Sequence, residues 1–226
     1  MFLDREEAGN LLAKRLSAYQ DDHNAIILAL PRGGVPVALV ISRQLHLRMD
    51  VLITRKLPAP ENPEYAMGAV AETGYVYLNE DALSSEGSYG EFLETFLEQE
   101  VYRQKEEITR RQQLYRQGNT LPPLKGKTVL LVDDGVATGS TYLASLHALH
   151  EMDVGKVIAA IPVGPTDTLR RIEPMVSELV VLEEPENFQA VGQHYQDFGQ
   201  VEDDEVCRRL SEARDNVGGT ESLTKS

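Results

Sequence analysis

The chain has 226 residues, with 36 acids against 22 bases (net charge −14), 42% hydrophobic and 26% charged residues, the make-up of a globular protein with one sizeable core. That negative field repels nucleic acid, and the nearest basic patch, Arg110 with Arg111, shares its stretch with Glu106 and Glu107. No apolar run approaches the roughly 18 residues of a membrane span, the acids directly after MFL argue against a signal peptide, and a single cysteine, Cys207, excludes an intrachain disulfide and points to a reducing cytoplasm.

Residues 4–19 read as an amphipathic helix: Asp4 and Glu7 have capping-box spacing, and Ala8, Leu11, Leu12, Leu16 and Tyr19 share a face. AIILAL (25–30) has the look of a strand buried on both sides. PRGG interrupts it, and Val37, Val40, Ile41 and Leu45 mark a second helix before the strand DVLIT (50–54). AVAETGYVYL (69–78) predicts a hairpin turning at Thr73-Gly74. A long polar helix follows at about 90–117, with Leu93, Leu97, Val101, Ile108 and Tyr115 as its stripe and Gly118 as its C-cap. That stripe looks large enough to spare some surface for a homodimer contact. TVLLV (128–132), a helix marked by Leu143, Leu146 and Leu149, KVIAAIPV (156–163), a short helix at 166–173 and ELVVL (178–182) complete the alternation. From about Asn216 the chain has too little apolar content to pack, so residues 216–226 are predicted to be a disordered tail.

Strands alternating with helices predict an α/β fold, a mainly parallel central sheet with helices on both faces, in one domain over residues 1–215. Ligands in such sheets bind beyond the carboxyl ends of the strands, and those ends here read LPRGG, TRK and VDDGVATGST.

The last of these carries the chemistry. In VLLVDDGVATGST (129–141), an apolar strand runs into Asp133 and Asp134, then into small and hydroxylated residues that open a helix. A glycine-bearing turn entering a helix N-terminus presents free N–H groups and the positive end of the helix dipole, which suits a phosphate. No lysine follows Gly139, so the loop is not a Walker A motif. Paired carboxylates can accept hydrogen bonds from the vicinal hydroxyls of a ribose; a DDG turn by itself reads as a helix-capping turn without a ligand.

The full stretch resembles the phosphoribosyl pyrophosphate (PRPP) binding motif of type I phosphoribosyltransferases. LALPRGGVPVA, RKLPAPENPEYAMGAVAE and FQAVGQHYQDFGQVEDDEV extend the likeness, in order, to a bacterial subgroup of that superfamily over most of residues 1–210. The resemblance implies that Asp133 and Asp134 hold the ribose hydroxyls and, with PRPP and water, Mg²⁺. It puts the 5′-phosphate on Val136, Ala137, Thr138, Gly139, Ser140 and Thr141, and pyrophosphate on Arg32, Gly33 and Gly34, in a loop that often holds a strained or cis peptide. One of Arg55 and Lys56, preferably Lys56, would meet pyrophosphate, or both are surface charges. Glu64 is an acid–base candidate or an exposed loop acid.

The superfamily's acceptor site lies under a hood, here expected from residues 1–20, residues 162–210 or both. Within it, Phe188 or Tyr195 would stack on a planar base, or else pack a small lid. His194 would bind the acceptor or sit on the surface, and His147 with His150 share a helix face without a third metal ligand. The implied reaction is Mg²⁺-dependent transfer of 5-phosphoribosyl from PRPP to a nucleobase or related nitrogen acceptor, with release of pyrophosphate. The alternative is a non-catalytic PRPP or nucleotide-binding regulator; both acids, the TG loop and PRGG favour catalysis.

Overall fold

The computed structural model describes residues 1–60, 66–79 and 90–221. Five parallel strands form the central sheet in the order β2-β1-β6-β7-β8: β1 Ala25–Ala29, β2 Arg48–Val51, β6 Thr128–Val132, β7 Lys156–Val163 and β8 Glu178–Glu183. Although β1, β6 and β7 read as unbroken apolar runs, the pleat sorts them onto two cores. Ile27, Ala29, Leu130, Val132, Ile158 and Ala160 face one. Ile26, Leu28, Val129, Leu131, Val157, Ala159 and Ile161 face the other. The first core is covered by α1 (Arg5–Arg15), α2 (Gly34–Leu45) and α6 (Asp203–Glu221); α4 (Ser140–Glu151) and α5 (Thr166–Ile172) cover the second.

DVLIT is not one strand. The chain leaves the parallel sheet after Val51 and begins β3 at Thr54–Pro58, which pairs antiparallel with β4 (Ala66–Ala71) and through it with β5 (Val76–Leu78). Lys56 and Arg55 therefore lie within a strand of a second, three-stranded sheet, and strand alternation sends their side chains to opposite faces. The hairpin itself turns at Gly74, whose φ is +93°.

The long helix α3 (Gly90–Arg116) uses its apolar stripe within its own chain. Leu93 and Leu97 pack on Ala59 and Met67, while Val101, Ile108 and Tyr115 join the first core. Leu93, Leu97 and Val101 are only half-buried there. α6 runs to Glu221, past the point at which composition predicts disorder; Leu210 and Ala213 are buried in the first core and anchor it.

α1 starts where predicted: the Glu7 N–H donates to Asp4 Oδ1 at 2.8 Å and the Leu3 N–H to Glu7 Oε2 at 2.5 Å. Just before it, the N-terminal residues pair with a distant stretch. The Phe2 N–H donates to His194 O at 2.7 Å, and the Gln196 and Asp197 N–H groups donate to Phe2 O and Leu3 O at 2.8 Å. Phe2, Val163 and Tyr195 form a small buried cluster there, with Phe188 and Val191 against it.

Candidate active site

β1 and β6 are neighbours with Ala29 opposite Val132, so their following loops emerge side by side. The Leu30 N–H donates to Val132 O at 2.8 Å, extending the ladder to the mouth. The first loop, Pro31–Gly34, contains a cis Pro31–Arg32 peptide and leads into α2. It lies directly on the two acids: a Cβ on Gly33 would fall 2.0 Å from Asp134 Oδ2, and one on Gly34 would fall 2.9 Å from Asp133 Cα. Only glycine permits that approach. Both loops open on a pocket of about 550 Å³, whose remaining wall comes from Lys56, Arg5 and residues 198–201.

On one side of the pocket, the segment Val136–Thr141 turns into α4. Gly139 has a φ of +74° and touches Thr168, where a Cβ would meet Cγ2 at 2.6 Å. Thr168 Oγ1 donates to Ala137 O at 2.6 Å and Arg171 Nη1 to Thr138 O at 3.4 Å, so α5 braces the loop from behind. No side chain caps α4; its first N–H groups, at Ser140 and Thr141, lack intrahelical partners and face the pocket with the positive end of the dipole. The Thr138 and Ser140 hydroxyls lie 3.3 Å apart beside them. Val136 differs in kind: it is buried and its N–H donates to Val163 O at 2.9 Å, so it backs the pocket and offers no free donor.

Asp133 and Asp134 form the floor. Asp133 Oδ1 accepts the Asp134 N–H at 2.9 Å. Asp134 is buried, its Oδ2 accepts from Arg5 Nε at 2.7 Å, and its carbonyl accepts from the Tyr195 hydroxyl at 2.6 Å. Burial pushes the Asp133 carboxyl well up, and the adjacent Asp134 adds to the rise while Lys56 opposes it. Burial also raises Asp134, against the pull of the Arg5 guanidinium.

The cations divide. Lys56 lines the pocket. Arg55, on the other face of β3, donates from Nε to Gln104 Oε1 of α3 at 2.9 Å and stays half-buried. Burial, with the Arg111 guanidinium nearby, lowers its pKa. Arg32 reaches Glu202 at 3.2 Å and Asp203 at 3.8 Å, at the start of α6.

Phe188 and Tyr195, expected at the acceptor, lie behind the pocket. Tyr195 is only 5% exposed, its hydroxyl is committed to Asp134, and its ring packs between Phe2 and Phe198 at centroid distances of 5.2 and 5.1 Å. Phe188 stacks on His194 at 5.5 Å and, like Tyr195, does not line the pocket. The aromatics that do are Phe198 and Tyr142, the latter with its hydroxyl given to Leu131 O at 2.7 Å. Residues 162–167, within the stretch expected to form the hood, brace the phosphate side: Gly164 packs on Val136, and Thr166 begins α5. His147 lies between Tyr75 and Tyr77, away from the pocket lining. Glu64 lies outside the described residues.

Arg5 escaped the sequence reading. Besides Asp134, it donates from Nη1 to Gly199 O at 2.8 Å, and its guanidinium carbon sits 3.9 Å from the Phe198 ring centroid. The one trace in the sequence is its place in the first turn of α1, where a cation opposes the helix dipole.

The family model described as "Phosphoribosyl transferase domain" matches residues 3–197. The chain belongs to this family. Two Mycobacterium tuberculosis proteins, each named "Putative phosphoribosyl transferase", are 40% identical over 214 residues, which is 94% of this chain and 47% of theirs. The chain therefore spans about half the length of the curated relatives it matches. The crystal structure of TT1426 from Thermus thermophilus is similar over 93% of this chain and 98% of that one, with 39% identity and a TM-score of 0.76. Family membership joins the expected parallel α/β fold. Among the described residues, no helix is long and apolar enough to cross a membrane.

Proposed function

We propose that this protein is a Mg²⁺-dependent phosphoribosyltransferase, moving 5-phosphoribosyl from PRPP to a nucleobase or related nitrogen acceptor. The observation that carries the reading is one pocket receiving an uncapped helix N-terminus, two carboxylates and a glycine loop with an arginine. Their order across the pocket matches the parts of PRPP. The 5′-phosphate takes the N–H groups and hydroxyls of Thr138, Gly139, Ser140 and Thr141. The ribose hydroxyls take Asp133 and Asp134. Pyrophosphate takes Arg32, the amide of Gly33 and Lys56; Gly34 supplies the close backbone approach alone, its N–H being given to Leu30 O at 3.0 Å.

The bond from C1 to the pyrophosphate oxygen breaks while the acceptor nitrogen attacks C1. Positive charge develops on the ribose ring, as in glycoside hydrolysis, and the two carboxylates stabilise it without forming a bond. With its 5′ end fixed on α4, the ribose is oriented while its far end reacts. The donor set fits magnesium: two hard carboxylate oxygen donors lie side by side, and among the described residues no group of three or more His, Cys, Asp or Glu forms a cage. Such an ion takes its remaining ligands from phosphate and water. Bound there, magnesium would neutralise the leaving pyrophosphate. The hood comprises the N-terminal residues together with residues 188–201, and a reducing cytoplasm suits a chain with a lone free cysteine.

Incubation with PRPP, Mg²⁺ and a panel of purine, pyrimidine and related nitrogen bases should release pyrophosphate with at least one acceptor. PRPP binding without turnover on any of them would make the protein a sensor; no binding at all would remove the ligand assignment.

A further inference from the structure

Arg5 stands at a junction of three separate chain segments. Its guanidinium bonds the second acid of the central motif (2.7 Å) and the Gly199 carbonyl (2.8 Å), and it lies over Phe198 at 3.9 Å. Its side chain is 11% exposed and that of Asp134 is 12% exposed. A charge-assisted bond at this burial has directional force that a surface pair lacks, because little water competes for it. Phe198 is itself backed by Tyr195, whose hydroxyl bonds the Asp134 backbone. The same acid is therefore gripped twice from the hood side, at its carboxylate by Arg5 and at its carbonyl by Tyr195.

The geometry points to Arg5 as the positioning residue for the ribose: by occupying Oδ2 of Asp134, it turns the other carboxylate oxygen toward the sugar hydroxyls and fixes it there. Three anchors argue for a fixed element of the site and against a gate that swings away. Gly33 lies against the same carboxylate, a Cβ there falling 2.0 Å from Oδ2 and 2.8 Å from Oδ1. None of these Arg5 contacts is to the phosphate loop or the Pro31–Gly34 loop, so its effect falls first on the sugar. This inference rests on the PRPP reading given above.

Calorimetric titration of Arg5→Gln with two probes, PRPP with Mg²⁺ and inorganic pyrophosphate with Mg²⁺, tests it. PRPP affinity should fall by about tenfold, the worth of one oriented charge-assisted bond, while pyrophosphate affinity stays within about twofold of the unaltered protein. Arg5→Lys keeps the cation but cannot span Asp134 and Gly199 together; it should recover part of the PRPP loss, and it serves as the test variant if Arg5→Gln does not fold. Equal losses for both probes would assign Arg5 to general pocket integrity and overturn the inference, as would unchanged PRPP affinity. If the unaltered protein binds pyrophosphate but not PRPP, the reading of the site fails first and takes this inference with it.

Discussion

At the scale of single residues, the paired acids show how much a motif tells and withholds. Their identity and place at the end of a strand are legible in VLLVDDGVATGST, because an apolar run that stops at two charges marks a strand leaving the sheet. Their inequality is not. Asp134 has a cation from a residue 129 positions away, a distance across which no local pattern carries information. Asp133 has burial and a like charge, which raise its pKa above the unfolded value near about 3.9. The sign follows. A carboxyl whose folded pKa is raised is ionised at a cost in the folded state, and that cost appears as pH climbs past the unfolded value and is complete above the folded one. Asp133→Asn removes the cost. Its melting temperature should exceed that of the unaltered protein by about 2–4 °C at neutral pH, as for about 1 kcal/mol in a chain of this size, and the difference should vanish below about pH 4. Scanning calorimetry across pH checks this. A variant less stable at neutral pH would mean that a further contact compensates the Asp133 charge. Turnover should be lost in the same variant, a trade expected of groups held in place for a ligand.

At the scale of elements, most helices and strands were readable from periodicity, and the failures have physical causes. DVLIT misled because Leu52 and Ile53 are both fully buried and no polar residue marks the change of sheet. The backbone marks it: the Leu52 N–H still donates to Ala29 O of β1, while the Ile53 N–H donates to the Glu72 side chain. Glu72 also receives Arg116, the last residue of α3. That guanidinium is 1% exposed and bonds Glu72 at 2.6 Å, Asp50 at 3.0 Å and the Val51 carbonyl at 2.5 Å. One buried cation thus fastens the long helix to both sheets at the point where the chain crosses between them. Arg116→Met should cost about 3 kcal/mol, because it strands the buried Glu72 carboxylate and leaves the part-buried Asp50 without its cation. Adding Glu72→Gln should restore part of that loss by removing one stranded charge. Urea unfolding of the single and double variants measures both effects; equal stability of the two would show that Glu72 is not the source of the penalty.

At the scale of the whole molecule, the two cores are opposite faces of the same strands, since β1, β6 and β7 contribute alternate residues to each. Neither layer can open without exposing the other side of the central sheet. We expect residues 1–215 to behave as one domain, unfolding in a single calorimetric transition whose van't Hoff and calorimetric enthalpies agree; two resolved transitions would divide the antiparallel sheet and α3 from the rest. This scale also explains why the pairing of the two regions expected to supply a hood was not legible. The sequence offers two regions for it, and composition gives no reason to join them. The pairing of residues 2–3 with 194–197 is made by backbone groups, which any sequence possesses.

The contact between Gly33 and Asp134 has a consequence for how the pocket fills. With 2.0 Å separating the carboxylate from the place a side chain would begin, the two loops meet where the sugar half of the cleft adjoins the diphosphate half. Bulk added at that seam would crowd both halves at once, while the glycine lets each half keep its own hold.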